Sequence, residues 1–402
     1  RLLSSIAVAA SCGLHADATA KCRRLTPRQS LLSPPDMASQ EKGPSVLVVG
    51  AGPTGLTAAV ELARRGIRPR VIDRNSGPTP LSKAVGIQAH SLELLEPSGV
   101  TERLLAAGLR LPGGTIHFKG RVLGRVHFSA LKHRFNFLLA LPQSETEEVL
   151  TGVLADRGVT VERNTTLAEL REEGDGVTAL IDDPQGRETA RFDLVYGADG
   201  VHSTVRQALG FDFAGYTHAR EWSIADAEIE SWPYEAGRAH LFLRGDGDVG
   251  FIIPIGPGRF RAVSNTPDAL ARVPGGYQVA KLMRTDRFRI PVRQCASYQT
   301  ARVFLGGDAA HVHSPVGGRG MNLGIEDACA FARRLTGNDL AGYTAERHPI
   351  GQRWIAASER VLRRVQASNP AAVALRNLAL TVVGNLPALQ RALLSRVAGL
   401  VA

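Results

Sequence analysis

Cysteine is scarce in this chain of 402 residues, which contains only four. Cys12 and Cys22 lie near its start, Cys295 and Cys329 are far apart in sequence, and no CxxC or CxxxxC pair occurs. Metal clusters and dithiol redox centres depend on closely spaced cysteines. The sequence therefore argues against both kinds of site, and it favours a reducing compartment, since disulfides persist in oxidising ones.

Long apolar runs and aromatic-rich basic runs are also missing. No apolar stretch approaches the roughly eighteen residues that a membrane-spanning helix requires. No basic run carries interleaved aromatic residues, so nucleic acid is not an expected partner. Lys and Arg number 48 against 38 Asp and Glu, which gives a net charge of +10. A charge of this size attracts anionic ligands.

The composition and patterning predict a globular protein of two parts. Hydrophobic residues make up 44% of the chain, which is ample for a core, and 402 residues exceed one ordinary domain. Residues 220–265 alternate between apolar and polar with Gly-rich turns, which predicts antiparallel hairpins. From about Leu340 the pattern is helical, with a break at Asn369-Pro370. The Ser144-x-x-Glu147 spacing predicts a capping box that leaves Gln143 just outside a helix.

A glycine-rich turn follows an apolar run in residues 45–66, SVLVVGAGPTGLTAAVELARRG. Between a predicted strand and a predicted helix, Gly50-x-Gly52-x-x-Gly55 is a dinucleotide-binding fingerprint. These glycines permit a tight turn and close approach of a pyrophosphate, which the free amides of the helix start bind. Asp73 ends the next strand, eighteen residues after Gly55, where a carboxylate can accept a hydrogen bond from a ribose hydroxyl.

A second glycine-rich segment spans residues 303–328, VFLGGDAAHVHSPVGGRGMNLGIEDA. It consists of an apolar strand, a Gly-Asp pair, a loop rich in glycine and a helix from about Met321. The carboxylate can hold sugar hydroxyls, and the glycines let the backbone approach a flat ring. The helix start carries about half a positive charge. A bulky cofactor that becomes anionic fits all three features.

A third segment, LVYGADGVHSTVR at residues 194–206, is an apolar strand that runs into Asp199-Gly200. Taken alone, an Asp-Gly pair after a strand is more typical of a simple turn. Together, the three motifs resemble those of the class A flavoprotein monooxygenases, the FAD-dependent aromatic hydroxylases such as p-hydroxybenzoate hydroxylase and phenol hydroxylase. The resemblance runs from about Val46 to Pro349.

The resemblance implies roles for residues at matching positions. Cofactor-binding residues are expected at Gly50, Gly52, Pro53, Thr54, Gly55, Asp73, Arg74, Lys83, Gln143, Asp199, Gly307, Asp308, Gly320, Met321 and Asn322. The loop expected to form the catalytic face contains Pro315, Gly317 and Gly318. His311 and His313 lie in the same segment and either assist removal of a phenol proton or serve as structural histidines. Phe242, Phe251, Ile253 and Pro254 either line the substrate pocket or belong to the core.

The activity that the resemblance implies is hydroxylation of a phenolic or polycyclic aromatic substrate with O2, through a flavin hydroperoxide. FAD is the expected cofactor and NAD(P)H the reductant, with NADPH favoured. The alternatives are a flavin-dependent halogenase or epoxidase of the same fold, or a catalytically impaired FAD-binding protein. No metal site is expected, and the protein is expected to be a monomer or a homodimer.

The fold that the resemblance implies is α/β, with an FAD/NAD(P)-binding domain of the Rossmann-like, glutathione-reductase type. Its expected segments are 43–120, 145–207 and 296–336. An inserted antiparallel β-sheet substrate domain is expected from 121–144 and 208–295, and C-terminal helices from 337–402. Two departures from the family pattern stand out. Glu326 replaces a common glutamine, and the segment at about 275–289 looks shorter than usual, which bears on the substrate pocket and on activity.

Residues 1–42 show no strong periodicity. Three interpretations stay open: a disordered or spurious upstream extension, a signal peptide, or an organelle presequence. MASQEKGPSVLVVGAG, starting at Met37, looks like an ordinary start for this family. The expected location is cytoplasmic, or mitochondrial if residues 1–36 are a true presequence.

Overall fold

A computed structural model describes residues 43–79 and 84–401. The strands in this part are β1 (Val46–Val49), β2 (Arg70–Asp73), β3 (Gly86–Ile87), β4 (Leu109–Leu111), β5 (Gly113–Phe118), β6 (Arg121–His127), β7 (Leu138–Ala140), β8 (Val161–Arg163), β9 (Thr166–Glu173), β10 (Gly176–Asp183), β11 (Gly186–Phe192), β12 (Leu194–Gly197), β13 (Phe213–Glu230), β14 (Ala239–Leu243), β15 (Val249–Gly256), β16 (Arg259–Ser264), β17 (Gln278–Cys295), β18 (Val303–Leu305) and β19 (His311–Val312). The α-helices are α1 (Pro53–Arg64), α2 (Ala89–Leu95), α3 (Val100–Ala107), α4 (Gln143–Ala155), α5 (Thr204–Ala208), α6 (Gly320–Thr336), α7 (Tyr343–Val365), α8 (Pro370–Asn385) and α9 (Pro387–Val397).

A five-stranded parallel sheet, in the order β18-β12-β1-β2-β8, forms the nucleotide-binding layer. Its central strands are continuous apolar runs because helices cover both faces of a parallel sheet. β1, β12 and β18 are buried along their whole length. All strands point the same way, so the three motifs that follow β1, β12 and β18 meet at one edge.

An eight-stranded sheet lies beside it, in the order β19-β17-β13-β16-β15-β14-β5-β6. Its pairs are antiparallel except that β14 and β5 run parallel. The all-antiparallel expectation is therefore wrong at this pair, and β5 joins this sheet although residues up to 120 were expected in the FAD-binding segments. A parallel pair needs a long crossover. The apolar-polar alternation of a hairpin predicts pairing only between strands that follow each other in sequence. β5 and β14 are far apart in sequence, so this pattern could not predict their pairing.

Two small antiparallel sheets complete the strands that the structure describes. One has the order β11-β10-β9 and the other β3-β7-β4. α4 begins at Gln143, with Pro142 in the N-cap position and no side-chain cap. The capping box predicted at Ser144 is therefore absent, because the helix starts two residues earlier than that pattern implies, and Gln143 is its first residue and does not lie outside it.

The C-terminal helices pack against the rest of the body. α8 begins at Pro370, and the side chain of Asn369 accepts hydrogen bonds from the amides of Ala371 and Ala372. The predicted break at Asn369-Pro370 is thus confirmed as a capped helix start. α8 packs against β6, and α7 covers a cluster that includes Trp222 on the eight-stranded sheet.

No single helix in the described part of the chain is both long and apolar enough to cross a membrane. α8 and α9 together have the length and composition of such a helix, but their axes are bent by 99° relative to each other.

Candidate functional site

The turn after β1 is shaped by close backbone approach. Gly50 has a φ of +101°, and a Cβ there would lie 2.4 Å from the carbonyl oxygen of Ala198. A Cβ on Gly55 would lie 1.9 Å from the carbonyl oxygen of Gly50. By contrast, a Cβ on Gly52 would meet nothing within 4 Å. The first and third glycines therefore serve the protein's own packing, and the second opens onto empty space at the start of α1.

Asp73 lies at the carboxyl end of β2 and is 7% exposed. Its Oδ2 accepts a hydrogen bond of 2.6 Å from the amide of Ala51, and its Oδ1 accepts one of 2.8 Å from the amide of Asn75. The carboxylate is thus held in one orientation at the mouth of the turn. Each carboxylate oxygen has two lone pairs, so the group keeps acceptor capacity for a ribose hydroxyl.

Two neighbouring cavities open at this edge of the parallel sheet. The smaller has a volume of about 190 Å³ and a wall of mixed polar and apolar character, and the larger has a volume of about 750 Å³ and a mostly apolar wall. Both are lined by Gly52, Gln143, Ala198 and Gly200, so they adjoin, and we call the two together the groove. A more polar end beside an apolar end suits a dinucleotide joined to a flat ring.

The structure brings most of the predicted site residues to this groove. Those that line the smaller or the larger cavity are Gly50, Gly52, Pro53, Thr54, Asp73, Arg74, Gln143, Asp199, Asp308, Pro315, Gly317, Gly318, Gly320 and Met321. Gly55, Gly307 and Asn322 do not line either cavity, but they contact residues that do. Lys83 lies outside the described residues.

Asp199 contributes a buried oxygen to the groove. Its Oδ2 accepts hydrogen bonds from the amides of Thr204 (2.7 Å) and Val205 (3.1 Å), whereas its Oδ1 has no partner among the described residues and no contact with solvent. Burial raises the pKa of Asp199 and outweighs the hydrogen bonds from the Ser203 side chain and from these amides, which lower it. A buried oxygen without a donor is costly unless a ligand supplies one, so this position fits a hydroxyl or amide of a bound cofactor.

The loop before α6 is a tight turn. Gly317 and Gly318 have φ values of +97° and +63°, and the amide of Gly318 donates to the carbonyl of Pro315 at 3.0 Å. The side chain of Gln88 donates a hydrogen bond of 2.9 Å to the carbonyl of Gly317. A Cβ on Gly317 or on Gly320 would meet nothing within 4 Å, so the loop is open at these two glycines, while Pro315 and Val316 also line the larger cavity.

Asn322 fixes this loop from below. Its Nδ2 donates to the carbonyls of Gly318 (2.8 Å) and Gly86 (2.9 Å), and its Oδ1 accepts from the amide of Gln88 (2.9 Å). The side chain is fully buried. All its polar atoms are engaged within the protein, so Asn322 shapes the cofactor wall in this structure and does not face the cavity.

Gly307 and Gly324 let α1 approach the start of the second motif. A Cβ on Gly307 would lie 2.5 Å from the hydroxyl of Thr54, and a Cβ on Gly324 would lie 2.1 Å from it. Asp308 follows Gly307 in a short 3-10 helix, and it lines the larger cavity. The close packing therefore sets where the Asp308 carboxylate stands relative to the fingerprint turn.

A buried charge network lies behind the loop, and periodicity gave no signal for it. Asp327 accepts hydrogen bonds from Arg347 (Nε to Oδ1, 2.6 Å), from the Gly307 amide (3.0 Å) and from the ring of His311 (2.6 Å). Burial raises the pKa of Asp327, but Arg347 and His311 outweigh it and hold the pKa at about 2. His311 is thereby engaged as a structural histidine.

Arg319 forms the second half of this network. Its guanidinium donates to Glu326 (2.5 Å) and to the side chain of Gln88 (2.8 Å), and it stacks 4.6 Å from the ring centre of Trp354. It is 1% exposed. Arg347 also reaches Glu326, at 3.3 Å. The replacement of glutamine by Glu326 therefore has a physical reason, because two buried arginines require its charge.

His313 differs from His311 because it lines the larger cavity. Its Nδ1 lies 2.8 Å from the carbonyl of Ser314, which assigns the proton to Nδ1 and leaves Nε2 as an acceptor. Burial lowers the pKa of His313 to about 4. At neutral pH the ring is therefore an uncharged acceptor at the cavity wall.

The apolar end of the larger cavity rests on the eight-stranded sheet. Phe251 and Ile253 line it, as one sequence interpretation proposed, together with Ile224, Leu241 and Phe288. Phe242 lies elsewhere, stacked on His117 with ring centres 4.7 Å apart. Successive residues of a strand face opposite sides, so Leu241 and Phe242 cannot both line the cavity. Phe288 belongs to β17, so the segment that looked short is part of a long paired strand.

The family described as FAD binding domain matches residues 44–358. A 6-methylpretetramide 4-monooxygenase of Streptomyces rimosus is 34% identical over 363 residues, which are 84% of this chain and 65% of that protein. The chain thus spans about two thirds of the length of this relative.

Solved structures have the same fold. The anhydrotetracycline hydroxylase OxyS of Streptomyces rimosus is 31% identical, with a TM-score of 0.75 over 89% of this chain and 76% of that one. The p-nitrophenol 4-monooxygenase PnpA of Pseudomonas putida DLL-E4 is 23% identical, with a TM-score of 0.81 over 88% of this chain and 97% of that one. The second likeness concerns the fold alone.

Proposed function

Because the chain belongs to the FAD binding domain family, as a class A FAD-dependent aromatic hydroxylase, we propose that it binds FAD along the groove and hydroxylates a phenolic or polycyclic aromatic compound. NAD(P)H, with NADPH favoured, is the proposed reductant and O2 the co-substrate. One observation carries the proposal: the cavity at the fingerprint turn adjoins the apolar cavity beneath the glycine loop, and both share Gly52, Gln143 and Gly200 in their walls.

The residues present fit FAD. The open space at Gly52 accommodates a pyrophosphate where the free amides of α1 begin. Asp73 is held at the mouth of the turn, where it would accept a hydrogen bond from an adenosine ribose, and the buried Oδ1 of Asp199 has no donor among the described residues. Asp308 stands at the wall of the larger cavity, where a ribityl chain would pass. The start of α6 points its partial positive charge at the ring position.

When bound, the flavin supplies the electron transfer and the activation of oxygen. The chain's own residues position the reactants and exclude water. The loop from Pro315 to Gly320 presents bare backbone at Gly317 and Gly320, so a flat ring and an aromatic substrate can approach closely there. Phe251, Ile253 and Phe288 form a dry wall, which limits wasteful loss of the activated oxygen. The Nε2 of His313 is an acceptor available to a substrate hydroxyl.

The proposed substrate class rests on this wall and on the relatives. The acceptor positions at the larger cavity are few and its lining is largely apolar, which suits an aromatic ring system with one or more hydroxyls. Of the relatives at 30% identity or more, one is named for 6-methylpretetramide and one for anhydrotetracycline. A one-group difference changes specificity by only about 1–3 kcal/mol in an apolar pocket. A library that spans phenols and polycyclic hydroxyaromatics is therefore the right probe.

The reaction is tested with labelled dioxygen. With a substrate that stimulates NAD(P)H oxidation, mass spectrometry should find one atom of ¹⁸O in the organic product. Gly318→Val should crowd the loop and divert turnover to hydrogen peroxide, because Gly318 has a positive φ and a bulky residue would distort the turn. Label found only in water or peroxide, for every aromatic that stimulates oxidation, would favour an oxidase or a protein that only binds FAD.

Cofactor binding is tested at Asp308. Asp308→Ala removes a charge-assisted acceptor, so FAD affinity should fall by about 1.5–3 kcal/mol, or roughly 10- to 150-fold. Asp175→Ala, on an exposed turn paired with Arg191, is the matched control and should keep the wild-type affinity. The measurement is flavin fluorescence quenching on titration of each apoprotein. Equal dissociation constants for Asp308→Ala and the wild type would remove Asp308 from the site.

A further inference from the structure

The C-terminal helices expose an unusual number of large apolar side chains. On α8, Leu375 is 69% exposed and Leu378 is 62% exposed, while the opposite side of this helix packs on β6. Further exposed apolar residues continue along α8 and α9: Val382, Leu386, Leu389 and Leu393. Surface helices of soluble proteins usually carry charges on their outer side. No ionisable residue is exposed on α8, since Arg376, its one charged residue, is buried.

Basic residues are concentrated in the segment that carries these apolar side chains and in the segment on which α8 packs. Residues 360–401 contain six Arg and no Lys, Asp or Glu, and residues 119–134 contain five Lys or Arg and no acid. These eleven cations compare with a net charge of +10 for the whole chain. All of them are exposed except Arg376, and one, Arg134, is paired with Glu96. We call the surface formed by residues 119–134 and 360–401 the basic apolar face.

Hydrogen bonds join the two segments into one surface. The side chain of Gln390 accepts from the amide of His127 (2.9 Å) and donates to the carbonyl of Arg125 (3.0 Å), and Arg391 donates to the carbonyl of Ala130 (3.1 Å). A Cβ on Gly384 would lie 2.8 Å from the Cα of Gly124, so α8 lies directly on β6. The two segments therefore belong to one packed surface region of the protein.

We propose that the basic apolar face docks on the surface of an anionic phospholipid bilayer. The leucines enter the boundary between headgroups and acyl chains, and the arginines bind lipid phosphates, which is the pattern of interfacial helices. A second copy of this chain is a poorer occupant, because a two-fold interface would set this concentration of positive charge against itself. Nucleic acid is poorer too, because the exposed centre is aliphatic and offers no aromatic platform for bases.

The inner side of the same helices reaches the proposed catalytic cavity. Leu380 of α8 and Val397 of α9 line its wall. Docking through the outer side would thus hold the cavity beside the bilayer, where apolar aromatic compounds concentrate. This last consequence rests on the proposed function, whereas docking itself does not.

Co-sedimentation of the full chain with vesicles tests the proposal. Vesicles of phosphatidylcholine with about one quarter phosphatidylglycerol should bind the protein at least about tenfold more strongly than pure phosphatidylcholine, and the difference should shrink at high salt. The double variant Leu375→Asp, Leu378→Asp should lose about tenfold in binding to the anionic vesicles. Leu282→Asp is the matched control, since Leu282 is 53% exposed on β17, outside the face, and this variant should bind as the wild type does.

Several outcomes would overturn the proposal. Equal binding to both kinds of vesicle would show that the arginines do not bind anionic headgroups. Anionic binding that the leucine substitutions leave unchanged would show that the apolar side chains do not enter lipid. A dimer in sedimentation velocity that the double variant dissociates, without vesicle binding, would assign the face to a second copy. Unchanged circular dichroism and flavin content in both variants would show that each is folded. Because the vesicle measurement does not need turnover, failure of hydroxylation leaves it interpretable.

Discussion

Asp327→Asn is expected to lower the free energy of unfolding by about 3–5 kcal/mol, because it leaves the buried Arg347 guanidinium without its main counter-charge. Asp327 is fully buried and accepts hydrogen bonds from Arg347, His311 and the Gly307 amide. Asparagine keeps the shape but loses the charge. Glu326 still reaches Arg347 at 3.3 Å, so the lower end of this range is expected. Urea denaturation followed by circular dichroism measures the change.

Asp182→Asn is the control for this prediction. Asp182 is also paired with an arginine, Arg187, at 2.6 Å, but both side chains are exposed on a hairpin. Exposed ion pairs contribute little to stability, so no measurable loss is expected. If both variants lost the same stability, the special role assigned to the buried network would be wrong. The Asp327 variant should also bind FAD more weakly, because Asp327 holds the Gly307 amide beside Asp308.

The carboxylate of Asp327 also makes the free energy of unfolding depend on pH in the acid range. The pKa of Asp327 is about 2 in the folded protein, below the value of about 3.9 for an unfolded aspartate. A depressed pKa means that deprotonation favours the folded state. This stabilisation is fully present above about pH 4 and is lost as the pH falls toward 2. The difference in stability between wild type and Asp327→Asn should therefore narrow across that interval.

Gly52→Val is expected to abolish FAD binding while leaving the apoprotein folded. Gly52 has an ordinary extended backbone, with φ −78° and ψ −178°, which any residue can adopt. The space that its side chain would enter is empty of protein atoms within 4 Å and belongs to the groove. Valine would therefore occupy the pyrophosphate position without disturbing the protein itself. FAD affinity should fall at least about 100-fold, or roughly 2.7 kcal/mol.

Substitutions at two other glycines are the controls for this prediction. Gly174→Val, at a hairpin turn that is also open, should keep the wild-type FAD affinity and melting temperature. Gly55→Ala should instead destabilise the fold, because its Cβ would lie 1.9 Å from the Gly50 carbonyl oxygen. Calorimetry of the apoproteins and flavin titration together separate the cases. A Gly52→Val protein that stays yellow would contradict the assignment of the groove.

Local patterns were enough to predict the parts of the site that follow directly from a strand. Gly50, Gly52 and Gly55 lie between an apolar run and a periodic helix, and Asp73 ends the next run. These features are written in consecutive residues, because backbone geometry at a strand-to-helix turn depends on its own glycines. Parallel strands end at one edge, so the motifs after β1, β12 and β18 were expected to meet, and they do.

Only the tertiary structure decided which side chains complete the site. Gln88 bonds to Asn322, Arg319 pairs with Glu326, and Asp327 pairs with Arg347, across separations of 234, 7 and 20 residues. No periodicity links the two pairs that are 234 and 20 residues apart, and the spacing of 7 residues, two helical turns, does not show that the pair is buried. Burial makes each pairing favourable only after the elements have packed. The same holds for the parallel pairing of β5 with β14, and for the choice that turns Leu241 toward the cavity and Phe242 away from it. Alternation shows that two adjacent residues of a strand face opposite ways, but which face is inward depends on what the sheet packs against.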